Sequence, residues 1–247
     1  MATLKDVKDF WNRNLCLDSY LQSEYLSKEY FEEGAKLRYK YHYHIPRDIE
    51  ILSKLKPNGK ALEIGLGMGC DTQLLCEKGF DVTGVDLTPK SVEATTARLK
   101  FYNLKADVRT GNAEALDFDD GTFDVVYSFG VLHHTPDTQK AINEVHRVLK
   151  SDGIALIMLY NKNSLNYWAH LITGTQYDGT KKDPCPVERA YTKSEIRKLC
   201  SRYSKVDIRV DYLFGTGWKK VNYVMPLFAK KALGKLIGWH SMIWALK

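Results

Sequence analysis

The sequence predicts an α/β protein, a mostly parallel sheet with helices on both faces and a helical cap in front. Three observations carry this. From Lys60 onward, short apolar runs alternate with amphipathic stretches, the order of repeated β-α-β units. A glycine run, Gly65-Leu66-Gly67-Met68-Gly69, closes the first apolar run and opens the next helix. Residues 1–57 lack the alternation and read as helical, with aromatics such as Phe10, Trp11, Tyr30, Phe31 and Tyr39.

The elements follow in order. Pro57-Asn58-Gly59 makes the turn that ends the cap. Seven strands are expected, at 60–64, 81–86, 107–110, 123–127, 154–160, 206–210 and 237–246. The run at 123–127 has the continuous apolar character of a parallel strand buried on both faces. Helices fill the gaps. One, at 71–78, follows the glycines. The next, 89–102, has Thr88 as N-cap and Pro89 in its first turn. The helix at 138–149 places Ile142, Val145, Val148 and Leu149 on one face. Thr192-Lys193-Ser194-Glu195 is a capping box that opens a helix to about residue 203. Irregular insertions are expected at 161–190 and 213–235, and long loops in such domains are more often functional than accidental. The chain therefore reads as one domain, a cap at 1–57 and a core at 58–247.

Composition narrows the function. With 44% hydrophobic and 27% charged residues, the 247-residue chain is neither disordered, collagenous nor a disulfide scaffold. No apolar run reaches the ~18 residues of a membrane span. The opening MATLKDVKDF lacks the apolar core of a secretory signal, so a cytoplasmic location is expected. Five scattered cysteines form no CxxC pair, and His42 and His44, two apart, have poor spacing for metal on a helix, so no metal is expected. The net charge of +6 is uneven: residues 61–150 carry −5 and residues 151–247 carry +9. The basic third is either a solvated lysine face or an attraction for an anionic acceptor, nucleic acid or lipid.

The glycine loop indicates a nucleoside ligand. Asp86 ends the next expected strand, 21 residues after Gly65, where a carboxylate accepts from ribose hydroxyls. The spacing is G-x-G-x-G, and the third glycine of a dinucleotide fingerprint would fall on Cys70. Glu63 and Asp71 flank the loop and oppose a pyrophosphate, which favours a cationic or zwitterionic ligand. A nicotinamide-dependent oxidoreductase is disfavoured on these grounds.

The run from Glu63 to Asp86 resembles class I S-adenosylmethionine-dependent methyltransferases, in particular the type 11 group, which includes quinone-biosynthesis C-methyltransferases. Gly111-Asn112-Ala113-Glu114, Phe123-Asp124-Val125-Val126-Tyr127-Ser128, Val131-Leu132-His133-His134-Thr135-Pro136-Asp137 and Arg147-Val148-Leu149-Lys150-Ser151-Asp152-Gly153 resemble its later motifs, in order, over about residues 40–160. The resemblance implies a Rossmann-like seven-stranded sheet whose last strand returns antiparallel. It implies S-adenosyl-L-methionine as cofactor. Glu63, Gly65, Gly67 and Gly69 would shape the methionine side, Asp86 would hold the ribose and Leu87 would pack on the adenine. Asn112 would reach the adenine amino group, Ala113 would act through its amide with Glu114 nearby, and Ser128 would sit near the methionyl group. Cys70 is expected to be buried rather than reactive.

The implied activity is methyl transfer to a small-molecule acceptor at O, N or C. A cofactor-binding domain without transfer, as a cyclase or regulatory partner, is the alternative. His133 and His134 follow the fourth strand and are the candidate general bases, with His134 preferred because sugar N-methyltransferases have a histidine at what looks like the same place. Their other reading is packing. The segment Arg38-Tyr39-Lys40-Tyr41-His42-Tyr43-His44 reads either as a lid whose tyrosines reach the ligands or as helix packing. Residues 219–235 mix lysines with apolar residues, as in a helix that touches anionic lipid, although Pro226 interrupts it. Nucleic acid is not an expected partner. Tyr127-Ser128-Phe129-Gly130 stands where adenine-N6 enzymes carry Asn/Asp-Pro-Pro-aromatic, and Pro184-Cys185 lies after the fifth strand, the wrong place for a cytosine-C5 nucleophile.

Overall fold

β1 (Lys60–Ile64) occupies the middle of the sheet because Ala61, Leu62, Glu63 and Ile64 are all buried, leaving neither face for solvent. In this computed structural model, which describes residues 2–214, 218 and 224–247, β1 pairs in parallel with β2 (Asp81–Asp86) and β4 (Phe123–Phe129). β3 (Asp107–Thr110) adds to β2, and β5 (Leu149–Asn161) adds to β4, again in parallel. β7 (Lys205–Asp211) and β8 (His240–Leu246) complete the order β3-β2-β1-β4-β5-β8-β7, and β8 runs antiparallel to both its neighbours. The doubly wound α/β fold is therefore as expected, with one addition. The insertion after β5 returns alongside it and forms a two-residue strand, β6 (Ala190–Tyr191), so the sheet has eight strands rather than seven.

The cap is three helices: α1 (Leu4–Arg13), α2 (Lys28–Tyr41) and α3 (Ile45–Leu55). Between α1 and α2 only Asp18–Tyr20 makes a short 3-10 turn. α3 presents Ile45, Ile49 and Leu52, all fully buried, at the spacing of one helical face, and packs on the sheet. α2 buries Tyr30 and Phe31 with Leu15, Met68, Cys70 and Ala94, so the cap rests on the glycine loop.

α4 (Cys70–Glu77) and α5 (Pro89–Phe101) follow β1 and β2. Thr88 caps α5 through the Ser91 amide, as its sequence predicts. α6 (Thr138–Val148) is capped by Asp137 and buries Ala141, Ile142, Val145 and Val148. The 161–190 insertion is not wholly irregular, because Ser164 caps a helix, α7 (Leu165–Thr173). α8 (Lys193–Leu199) opens on the expected capping box. α9 (Leu227–Ile237) begins directly after its N-cap Pro226, so the expected 219–235 segment is interrupted there, while residues 219–223 of that segment lie outside the described residues. Among the described residues no helix is long and apolar enough to cross a membrane.

Candidate active site

The parallel strands point their carboxyl ends at one rim, and ligands of open α/β sheets bind there. At that rim Gly65, Gly67 and Gly69 have φ of +87°, +55° and +75°, a region that side chains with a Cβ disfavour. The glycines differ in purpose. A Cβ on Gly65 would lie 2.0 Å from Val131 Cγ2, and one on Gly69 would meet the Thr95 backbone at 3.0 Å, so both permit close packing. A Cβ on Gly67 would meet nothing nearer than Cys16 Cβ at 3.9 Å, so the loop is open on that side.

Glu63 is buried and its Oε2 has no hydrogen-bond partner. Burial, and then the nearby Asp71, push its carboxyl well above the ordinary value. A cationic group beside the loop would complete that oxygen. Asp71 is different from what its position suggests. The Arg38 guanidinium binds both its oxygens, and Tyr127 Oη donates to Oδ2 at 2.7 Å. Its charge is spent on holding the cap to the loop. Tyr39 Oη donates to the Cys70 carbonyl at 2.8 Å and Tyr43 Oη to Asp211, so these two tyrosines pack and anchor. Cys70 is buried, and burial pushes its thiol up to about 11.

Asp86 Oδ2 accepts from the Leu66 amide, and Oδ1 accepts from the Thr88 amide and hydroxyl, each at 2.8 Å. A carboxylate has about four lone-pair sites, so at most about one remains for a ribose hydroxyl rather than two. Leu87, next to it, is half-buried. Asn112 Oδ1 accepts from the Glu114 amide at 3.0 Å, and Glu114 Oε1 accepts from the Asp137 amide at 2.7 Å. These bonds shape the turn after β3 and place the Ala113 amide on it. Ser128 is buried and donates to the Ile64 carbonyl at 3.1 Å, which ties β4 to the start of the glycine loop. Asp86→Ala is expected to weaken the nucleoside cofactor by ~1.5–3 kcal/mol, since charge-assisted bonds to loop and ligand are lost together. Unchanged affinity by calorimetry would remove Asp86 from the ribose site.

His133 and His134 sit on a short turn, Leu132–His134, after β4. Their environments differ. His133 is fully buried, its ring 4.0 Å from Tyr160 and 4.2 Å from His134. Burial holds its imidazole well below the usual value. His134 Nδ1 lies 2.6 Å from the Val187 carbonyl, which accepts only if Nδ1 carries the proton. Nε2 is then a bare lone pair. It is buried, has no hydrogen-bond partner, and lies 3.6 Å from Asp178 Oδ2. Tyr160 Oη donates to the same Asp178 oxygen at 2.8 Å. Burial also lowers the His134 pKa from 6.5, against the pull of Asp178, so the ring is neutral at pH 7.

Trp11 of α1 closes over His134 with ring centroids 4.9 Å apart. Arg13 and Asn14 grip Asp183 of the insertion at 2.9 and 2.8 Å. The cap and the 161–190 insertion thus meet above the histidine and shield it from water. Cys185 of that insertion lies 3.7 Å from His134 Nδ1, but burial pushes its thiol to about 12 and it donates to the Val187 carbonyl, so it is no nucleophile. Sequence reasoning missed Trp11, Asp178 and Val187, because tertiary folding alone brings them to His134. It also missed the Arg38–Asp71 pair, whose partners lie in different elements.

An open sheet in this order, with a glycine loop after β1 and an acid ending β2, is the architecture of class I S-adenosylmethionine-dependent methyltransferases, and residues 62–157 match the family model described as a methyltransferase domain. Over 136 residues the chain is 33% identical to a ubiquinone biosynthesis O-methyltransferase of Pelagibacter ubique, covering 54% of this chain and 56% of that one. Over 123 residues it is 34% identical to a 2-methyl-6-phytyl-1,4-hydroquinone methyltransferase of Synechocystis, covering 47% and 38%. The chain spans about half the length of these relatives. A solved structure from Thermotoga maritima, described as a methyltransferase and possible histamine N-methyltransferase, superposes with a TM-score of 0.66 at 18% identity over 98% of this chain and 99% of its own. At that identity the likeness is one of fold.

Proposed function

We propose that this chain transfers a methyl group from S-adenosyl-L-methionine to a hydroxyl of a small, largely apolar acceptor. The observation that carries the proposal is the buried, unpartnered Nε2 of His134, neutral and enclosed by Trp11 and the insertion. When bound, the cofactor supplies an electrophilic methyl carbon. The partnerless Glu63 oxygen, the open face at Gly67, the remaining Asp86 lone pair and the Ala113 amide suit its ammonium, its backbone contacts, its ribose and its adenine. His134 Nε2 takes the acceptor's proton, and Asp178 stabilises the imidazolium that results. Trp11, Tyr160 and the insertion exclude water and orient the acceptor. Of the two relatives matched by sequence, the name of the first, an O-methyltransferase of ubiquinone biosynthesis, supports oxygen as the attacked atom, and the name of the second, a phytyl-hydroquinone methyltransferase, supports an apolar acceptor.

The test is to incubate methyl-labelled S-adenosylmethionine with the protein and a deproteinised extract of its source, then count label in organic, aqueous and nucleic-acid fractions. Label in the organic fraction supports the proposal. Aqueous label would replace the apolar acceptor with a polar metabolite. No label despite measured cofactor binding would favour the non-transferring alternative.

An apolar acceptor would reside in a membrane, and the surface suits contact with one. Trp168, Leu171 and Ile172 of α7 are exposed, as are Leu227, Phe228 and Leu236 of α9, beside exposed Lys231 and Lys235. The protein is expected to sediment with vesicles containing phosphatidylglycerol and not with neutral phosphatidylcholine vesicles. Phe228→Asp should release it, and equal binding by that variant would dismiss the α9 contact.

A further inference from the structure

We infer that His42, His44 and His240 form a binding site for one divalent transition-metal ion that staples the N-terminal cap to the last strand of the sheet. The spacing of His42 and His44 argues against metal only if both lie on one helix. They do not. α2 ends at Tyr41, His42 is its C-cap and His44 is the N-cap of α3, so the chain bends between them. His240 starts β8, and the bend brings its imidazole, with the other two, to a place where one nitrogen from each ring lies within 4.8 Å of the others. His44 Nε2 and His240 Nδ1 are 3.3 Å apart. A tetrahedral ion ~2.0–2.1 Å from each imidazole spaces its ligands roughly 3.3 Å apart, so this pair already has that separation. Modest ring rotation closes the wider gap.

The unmet hydrogen bonding supports a ligand. His42 Nδ1 and His44 Nδ1 are buried and unpartnered. So is Asp48 Oδ2, which lies 3.8 Å from His44 Nδ1. With His44 Nε2 on an ion, its Nδ1–H turns to Asp48, the carboxylate–imidazole–metal arrangement that orients ligands in metalloproteins. Three neutral imidazoles add no charge to balance a dication. Asp211 on the end of β7 supplies negative charge close by, and Asp48 keeps Oδ2 free for His44 although Arg47 binds its Oδ1, while Arg38 is already neutralised by Asp71. Phe129 and Tyr212 wall the cluster, their rings 5.2 and 5.0 Å from His42. Tyr212 holds a φ of +61°, unusual for a bulky residue, and its hydroxyl is a further buried atom with no partner.

The ion would join residues almost 200 positions apart, and the staple stands beside the rim where the cap covers the glycine loop. Cobalt chloride titrated into the chelator-treated protein is expected to bind at one equivalent per chain, with the intense visible absorption of a four-coordinate site. His240→Gln and His42→Gln should each abolish that absorption while keeping the metal-free melting transition. Asp48→Asn should weaken cobalt by roughly 10–100-fold, as loss of an outer carboxylate does. Cobalt should raise the melting temperature of the wild type and leave the histidine variants unmoved. Wild-type protein that takes up no cobalt, or variants that take up the same equivalent with the same spectrum, would overturn the site.

Discussion

His134→Gln is expected to lower turnover by roughly 10²–10⁴-fold, the usual contribution of a positioned base, with cofactor affinity unchanged. Glutamine keeps most of the volume under Trp11, so the cap still closes. It has no basic lone pair to take a proton. The pH dependence gives a second readout. The His134 pKa lies below 6.5 because burial outweighs the attraction of Asp178. The working form is therefore the neutral one, present above that lowered value and lost as the ring protonates beneath it. Wild-type kcat/KM should hold steady from pH 8 to below 6.5 and fall only on further acidification. The variant's residual rate should lack that acid limb. Wild-type turnover in His134→Gln, with cofactor binding intact, would return the residue to a packing role and make deprotonation of the acceptor the task of some other group.

His134 also shows what a sequence can and cannot disclose. Periodicity and capping residues located every core strand and the helices α5, α6 and α8, because these depend on neighbours within a few positions. The two-residue β6 escaped, since its pairing with β5 is long-range and two residues carry no period. The glycine loop was legible for the same local reason, yet the roles of its acids were not. Asp71 looked like a charge facing the ligand, and only the fold shows Arg38 locked upon it. His133 and His134 are adjacent in sequence and chemically identical there. Their difference comes from two residues more than 40 positions away: the Val187 carbonyl, which fixes the proton on Nδ1 of His134, and Asp178, which faces Nε2. The spacing of His42 and His44 was judged as if both stood on one helix, whereas α2 ends at Tyr41 and His44 is the N-cap of α3.

Arg98 was the largest omission, and its replacement should be among the most damaging single changes. In sequence it is one basic residue near the end of α5, the kind that usually points into solvent. In the structure it is fully buried. Nε donates to the Met68 carbonyl at 2.8 Å, Nη1 to Gln73 Oε1 at 2.7 Å and Nη2 to the Phe31 carbonyl at 2.6 Å, and the guanidinium lies 4.9 Å from the Phe31 ring centre. One side chain thus joins the glycine loop, α4 and the cap helix α2. Arg98→Met fills similar space but leaves three acceptors without donors. Each charge-assisted bond is worth ~1.5–3 kcal/mol, and relief from burying the charge returns part of the total. A net loss of ~3–5 kcal/mol is expected, a large fraction of the ~5–15 kcal/mol that a folded domain has. For a chain of this size that corresponds to a fall in Tm of roughly 6–20 °C. Met68 belongs to the glycine loop, so cofactor affinity should fall with stability, unlike in His134→Gln, where only turnover falls. A melting temperature within 2 °C of wild type would mean that the cap and the loop are held by their apolar contacts alone, and that Arg98 is a guest in a core that does not need it.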